Sequence, residues 1–189
     1  MNSVESAASE DTDRGWIVAS VKVPATPSKH RVAVWRELRR IGAVPVGPGV
    51  WAVPDVPACA AGLTRVAALA HEGDGDVLLM SAQGRTPEDA AKLDRLFATA
   101  REEDWAEFIA DCAKFEDEIA SEIAKDKLTM AELEEEEQSL DRLRRWHHDL
   151  RKRDIFGVDA AAIALTRLRE CNDRLEAYAD LVYARVQQG

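Results

Sequence analysis

Between Val32 and Pro54 the chain reads V-A-V-W-R-E-L-R-R-I-G-A-V-P-V-G-P-G-V-W-A-V-P, and few folds can accommodate that stretch. Val34, Leu38 and Ile41 recur at helical spacing and define one apolar face. Lys29, Arg36 and Arg40 fall on another side of the same helix, with Arg39 beside them. Gly42 supplies a helix stop, since glycine closes a helix in the left-handed conformation at little cost. Ala43–Val46 and Val50–Val53 are short β-rich runs. Gly47-Pro48-Gly49 splits them into a hairpin.

The flanking segments extend this unit. Trp16–Val23 (W-I-V-A-S-V-K-V) is a strand ended by Pro24, and Ser28 is placed to cap the basic helix. Asp55 is placed to cap a second, alanine-rich helix, Val56–His71, carrying Leu63, Val66 and Leu69. Gly73-Asp74-Gly75 breaks it, and Asp76–Ala82 is a fourth strand. The order β-α-β-β-α-β is that of a ferredoxin-like sandwich, an α+β fold.

Everything after this reads as helix. Pro87–Thr99 is expected to be a short one. Glu102–Lys125 follows, with Trp105, Phe108, Ile109, Cys112, Phe115, Ile119 and Ile123 on one stripe. Thr129 and Glu132 form a capping box for a helix carrying Leu133, Leu140, Leu143, Trp146 and Leu150, which Gly157 ends. Asp159 caps a last helix with Leu168, Cys171, Leu175, Tyr178 and Val182. The last two helices are expected to pack as an antiparallel hairpin. The expected organisation is a disordered N-terminus (1–14), a ferredoxin-like domain (15–99) and a helical extension (100–189).

A formal net charge of −10 argues against a protein that coats nucleic acid indiscriminately, but the charge is sorted along the chain. From Arg14 to Arg40 seven bases (Arg14, Lys22, Lys29, Arg31, Arg36, Arg39, Arg40) face one acid, Glu37. Acids dominate from Glu102 to Asp141. From Arg142 to Arg153 six bases (Arg142, Arg144, Arg145, Arg151, Lys152, Arg153) face Asp149 alone. Glu134–Glu137 reads as a solvated helix face. Cys59, Cys112 and Cys171 are far apart, with no C-x-x-C, and read as reduced core thiols. The first thirteen residues lack the pattern of a signal peptide, and no apolar stretch nears eighteen residues. A cytoplasmic protein is expected.

Two basic clusters are candidate sites. Arg144, His148 and Arg151 sit at i, i+4 and i+7 on one helix face, and Lys152 and Arg153 extend them. Forked guanidinium donors suit an oxyanion, although the acidic face of a neighbouring helix would serve them equally. Lys29, Arg31, Arg36, Arg39 and Arg40 are suited to gripping DNA phosphates, or simply to keeping an outer helix face soluble. No helix-turn-helix is legible, so base readout is unsupported. His147 lies on the Leu140 seam and reads as a satisfied, partly buried histidine. His30 and His71 have no neighbours at ligand spacing. No cluster has zinc-site spacing, and no G-x-G-x-x-G, P-loop or G-x-S-x-G occurs. No metal, cofactor or catalytic residue is expected.

The run V-A-V-W-R-E-L-R-R-I-G-A-V with G-V-W-A-V-P resembles the N-terminal domain of the ChrB family of chromate-resistance regulatory proteins. K-V-P (Lys22–Pro24), A-R-E-E-D-W-A-E-F (Ala100–Phe108) and R-K-R-D-I-F-G (Arg151–Gly157) fit the same pattern, the last where the family usually has R-x-R-D-F-F-G. The resemblance implies a part in chromate-responsive transcription control. It also extends to the sandwich of PaaX-type repressors and of small CRISPR-associated nucleases. Those nucleases carry an acidic metal ligand at the end of the first strand, where this chain has Ala19-Ser20-Val21-Lys22 and no carboxylate. ChrB proteins usually continue into a second domain credited with much of the chromate sensing; the sequence here ends at Gly189.

The expected function is therefore a regulatory or binding protein of chromate or oxyanion resistance that acts without catalysis. Its partners would be DNA through the basic helix and chromate or a similar oxyanion at Arg144–Arg153. The alternative is a non-catalytic scaffold that dimerises through the hairpin, on the heptad spacing of Leu168, Leu175 and Val182, or through a sheet edge, and works with a separately encoded effector domain. An enzyme, either a nuclease or a chromate reductase, ranks last.

Overall fold

In a computed structural model describing residues 15–188, four strands form one antiparallel sheet in the order β2-β3-β1-β4. Strand β1 (Trp16–Lys22) lies inside it, pairing with β3 (Val50–Pro54) on one side and β4 (Asp76–Ala82) on the other. Strand β2 (Val44–Gly47) is an edge, joined to β3 by the expected hairpin. Gly49 turns it at φ +69°, and its carbonyl accepts from Val21 N at 2.7 Å. The expected N-terminal segment, 1–14, lies outside the described residues.

Helix α1 (Ser28–Arg40) buries Val34 and Leu38, with Ile41 buried just beyond its end. Gly42, at φ +79°, lets its own N–H and that of Ala43 return to Arg39 O and Leu38 O. Ser28 is not the cap. Pro27 holds that position, and Ser28 is already helical. Asp55 does not cap α2 (Pro57–His71) either. Val56 precedes a proline, is held extended at φ −130°, and becomes the N-cap itself. Gly62 of α2 lies against α1, where an added Cβ would come within 2.1 Å of Ile41 Cγ2. Gly62→Ala is expected to cost about 1 kcal/mol in a denaturant titration, because the buried isoleucine has little room to yield.

The expected break between Thr99 and Glu102 does not occur: α3 runs unbroken from Pro87 to Ala124. Past Pro87 it contains neither glycine nor proline, and A-T-A-R-E-E-D is compatible with helix throughout. Thr86 caps it, accepting from Asp89 N at 3.2 Å.

The chain divides into two compact units, the first ending at Ala100 and the second beginning at Arg101. The first has its core among Trp16, Ala19, Val34, Leu38, Val53, Val66 and Phe97, with Trp16 edge-on to Phe97 at 5.8 Å. In the second, the rest of α3 packs with α4 (Met130–Arg153) and α5 (Ala160–Gln188). Phe108, Cys112, Phe115, Ile119, Leu133, Leu140, Leu150, Cys171, Tyr178 and Val182 fill that core. Thr129 caps α4 as expected, accepting from Glu132 N at 3.2 Å. The helix ends at Arg153, capped by Asp154 rather than by Gly157. Ile123, expected on the apolar stripe, is exposed near the end of α3.

Candidate functional site

Helix α1 presents an uneven set of cations. Its one acid, Glu37, is buried and gripped by Arg40 through Nε at 2.8 Å and Nη2 at 2.5 Å. That hydrogen-bonded guanidinium holds the Glu37 carboxyl below its ordinary range, and burial opposes it. Arg40 therefore has its counter-charge within the helix. Arg39 lies 6.0 Å from the centre of the exposed Trp35 ring. Lys29, Arg31 and Arg36 are exposed and have no ion-pair partner among the described residues.

The basic end of α4 is less open than its spacing implies. Arg144 donates to Asp141 Oδ1 at 2.9 Å and to Asn172 Oδ1 of α5. Arg153 turns inward, 3.8 Å from Asp104. His148, Arg151 and Lys152 are exposed and lack ion-pair partners among the described residues. The expected constellation thus divides. Three basic side chains face outward, and two arginines face the chain's own polar groups.

Sequence reasoning missed what surrounds Arg153. Asp104 of α3 also takes Arg101 Nη2 at 3.0 Å, and Arg101 is only 2% exposed. One residue on, Trp105 Nε1 donates to Asp154 Oδ2 at 2.9 Å. The Asp154 carboxylate also accepts from Gly157 N and Val158 N, closing the turn toward α5. His147 lies against the rings of Trp105 and Phe108, 5.3 and 5.5 Å away. It is buried, but Nε2 has no hydrogen-bond partner among the described residues, so it is not the satisfied histidine expected. Burial, then the charges of Arg151 and His148, lower its pKa and keep the ring neutral. The strings A-R-E-E-D-W and R-K-R-D-I-F-G, far apart in sequence, therefore meet in one partly buried cluster.

The family model described as Protein ChrB, N-terminal, matches residues 31–189. The chain belongs to the ChrB N-terminal family. A curated relative, Protein ChrB of Cupriavidus metallidurans, is 26% identical over 168 residues, covering 87% of this chain and 47% of the relative. The chain thus spans about half the length of the curated relative it matches. The matched span takes in Arg31, Arg36, Arg39 and Arg40 and the whole second unit.

Within this ChrB N-terminal chain, no group of His, Cys, Asp and Glu among the described residues is arranged to hold a metal ion. None of the described helices is long and apolar enough to cross a membrane. All three cysteines are buried and unbridged. The hydrogen bond with Cys112, then burial, push the Cys171 thiol up, so it stays protonated. Glu136 corrects the solvated reading of Glu134–Glu137: it is buried while its three neighbours are exposed. A cavity of about 400 Å³ between α3 and α4 is rimmed by groups that already bond each other, Lys114 to Asp111 at 2.6 Å and Arg142 to Ser139 at 2.8 Å.

Proposed function

We propose that this chain is a non-catalytic regulatory module of chromate resistance that binds nucleic acid through α1. The observation that carries the reading is the set Lys29, Arg31 and Arg36, without ion-pair partners among the described residues, on a helix whose one acid is buried and already paired. Membership of the ChrB N-terminal family supports the regulatory role. The strand order β2-β3-β1-β4 supports a ferredoxin-like sandwich as the frame that displays α1. Bonds from Arg144 to Asn172 and from Tyr178 to Lys127 O support an antiparallel pairing of α4 and α5. A chromate-like oxyanion would meet His148, Arg151 and Lys152; Arg144 and Arg153 would first have to leave their present partners.

The scaffold reading loses its main support. Leu168, Leu175 and Val182, whose heptad spacing suggested a dimer seam, are buried within the second unit itself.

A gel-shift titration against the DNA upstream of the chain's own gene tests the nucleic-acid role. The protein is expected to bind at low salt. An Arg31→Ala/Arg36→Ala variant is expected to bind more weakly, its log–log salt slope reduced by about 2, because each missing guanidinium leaves one phosphate with its counterions. No binding at low salt ends the DNA role. Calorimetry with chromate and sulfate tests the oxyanion role, which fails if neither gives heat or if Arg151→Ala changes nothing.

A further inference from the structure

Trp35 is 52% exposed, an unusual position for the largest apolar side chain. Beneath it, between α1 and the β2–β3 hairpin, lies a cavity of about 180 Å³ lined by Val21, Arg31, Val34, Trp35, Gly49 and Trp51. The hairpin turn closes one wall. Gly49 approaches so closely that a Cβ there would stand 2.9 Å from Val21 O. The cavity is too small for a cofactor or a drug-sized ligand, which need about 300 Å³ or more, but it suits a single flat ring. Its walls are indole and aliphatic, and its rim carries Arg31. Arg36 follows Trp35 directly, and Lys29 lies near the start of the same helix. No acid on α1 is left unpaired to repel an anion, in a chain whose net charge is −10.

An exposed aromatic set among free cations is how proteins hold single-stranded nucleic acid. The ring takes a base and the cations take the flanking phosphates. A base inside a duplex is stacked and paired and cannot enter such a cavity. We propose that the cleft between α1 and the β2–β3 hairpin takes one unpaired nucleobase of a single-stranded nucleic acid, held against Trp35 and Trp51, with Lys29, Arg31 and Arg36 on the adjoining phosphates. The proposal rests on the reading of α1 as a nucleic-acid surface and adds the form of nucleic acid it selects.

Anisotropy titrations with a labelled oligothymidylate of about 12 nucleotides, a duplex of equal length, and poly-L-glutamate as competitor test it. Wild type is expected to bind the single strand. Trp35→Ala is expected to weaken that binding about tenfold while changing duplex binding less than about twofold, and Trp35→Phe to restore most of it. Arg36→Ala is expected to weaken single-strand and duplex binding alike. Thermal melts confirm that each variant is folded; the exposed Trp35 contributes little to the core. If Trp35→Ala binds the single strand as well as wild type does while the duplex is still bound, the base cleft is wrong and the nucleic-acid reading stands. Binding of neither strand form overturns both. Trp35-dependent binding of polyglutamate without binding of the oligonucleotide overturns the proposal in favour of an acidic protein partner.

Discussion

Replacing Asp104 with alanine is expected to cost the second unit about 3 kcal/mol. Arg101, 2% exposed, and Arg153, 15% exposed at its side chain, both face this carboxylate, at 3.0 and 3.8 Å. Guanidiniums do not lose their charge in proteins, so removing the acid takes one counter-charge from two cations that water cannot fully reach. Asp104→Asn, which keeps the shape and removes the charge, is expected to cost nearly as much, because the same counter-charge is lost. Urea unfolding followed by far-ultraviolet circular dichroism measures both. A cost below about 1 kcal/mol for Asp104→Ala would mean that solvent or the arginines' other partners compensate them without Asp104. The pairing also explains why the last basic band divides. Arg153 points inward to Asp104, whereas Arg151 and Lys152, on the same turn, remain exposed.

Local rules were enough wherever neighbouring residues decide the outcome. The hairpin around Gly47-Pro48-Gly49, the strand Asp76–Ala82, the Gly42 stop and the Thr129 cap all follow from backbone preference and a few side chains. The failures at Ser28 and Asp55 are also local. Each lies next to a segment where proline sets the backbone, and an extended residue at or beside the proline displaced the polar cap. The expected end at Thr99 does not occur because no breaker residue stands between Thr99 and Glu102 to stop the helix.

Pairings across long sequence separations were not legible. Nothing near Arg101 or Asp104 announces Arg153, and nothing near Trp105 announces Asp154. The same limit governs the basic clusters. Spacing put Arg144, His148 and Arg151 on one helix face, but Asn172 on another helix claims Arg144. On α1 the counter-charge is only three residues away, which is why the division between the paired Arg40 and the open Arg31 and Arg36 follows from local reasoning once Glu37 is seen to be buried.

Glu136 had a legible signal that its acidic neighbours obscured. It stands three residues after Leu133 and four before Leu140, both buried, so the heptad seam carries it inward despite its charge. Burial first, then the charges of Glu118 on α3, Glu135 on α4, Glu122 on α3 and Glu132 on α4, push its carboxyl from 4.5 up to about 7. Lys127 is shared between Glu122 and Glu132 at 3.0 and 3.2 Å. Tyr178 of α5 donates its hydroxyl hydrogen to Lys127 O, and Glu136 Oε2 is left without a hydrogen-bond partner among the described residues. The folded protein therefore keeps the Glu136 proton more tightly than the unfolded chain does. Below about pH 4.5 both states are protonated and Glu136 costs nothing; as pH rises the unfolded chain ionises first, and the penalty grows until it is complete above about pH 7. The full shift corresponds to about 3 kcal/mol, and screening by the solvent around the neighbouring glutamates reduces it to about 2. Glu136→Gln removes the charge and keeps the shape. It is expected to stabilise the second unit by about 2 kcal/mol at about pH 8 and by less than about 1 kcal/mol at about pH 5. Urea titrations of both proteins at the two pH values decide it. An equal gain at both would assign the effect to packing, and no gain at the higher pH would mean that Glu136 is not held in the seam at all.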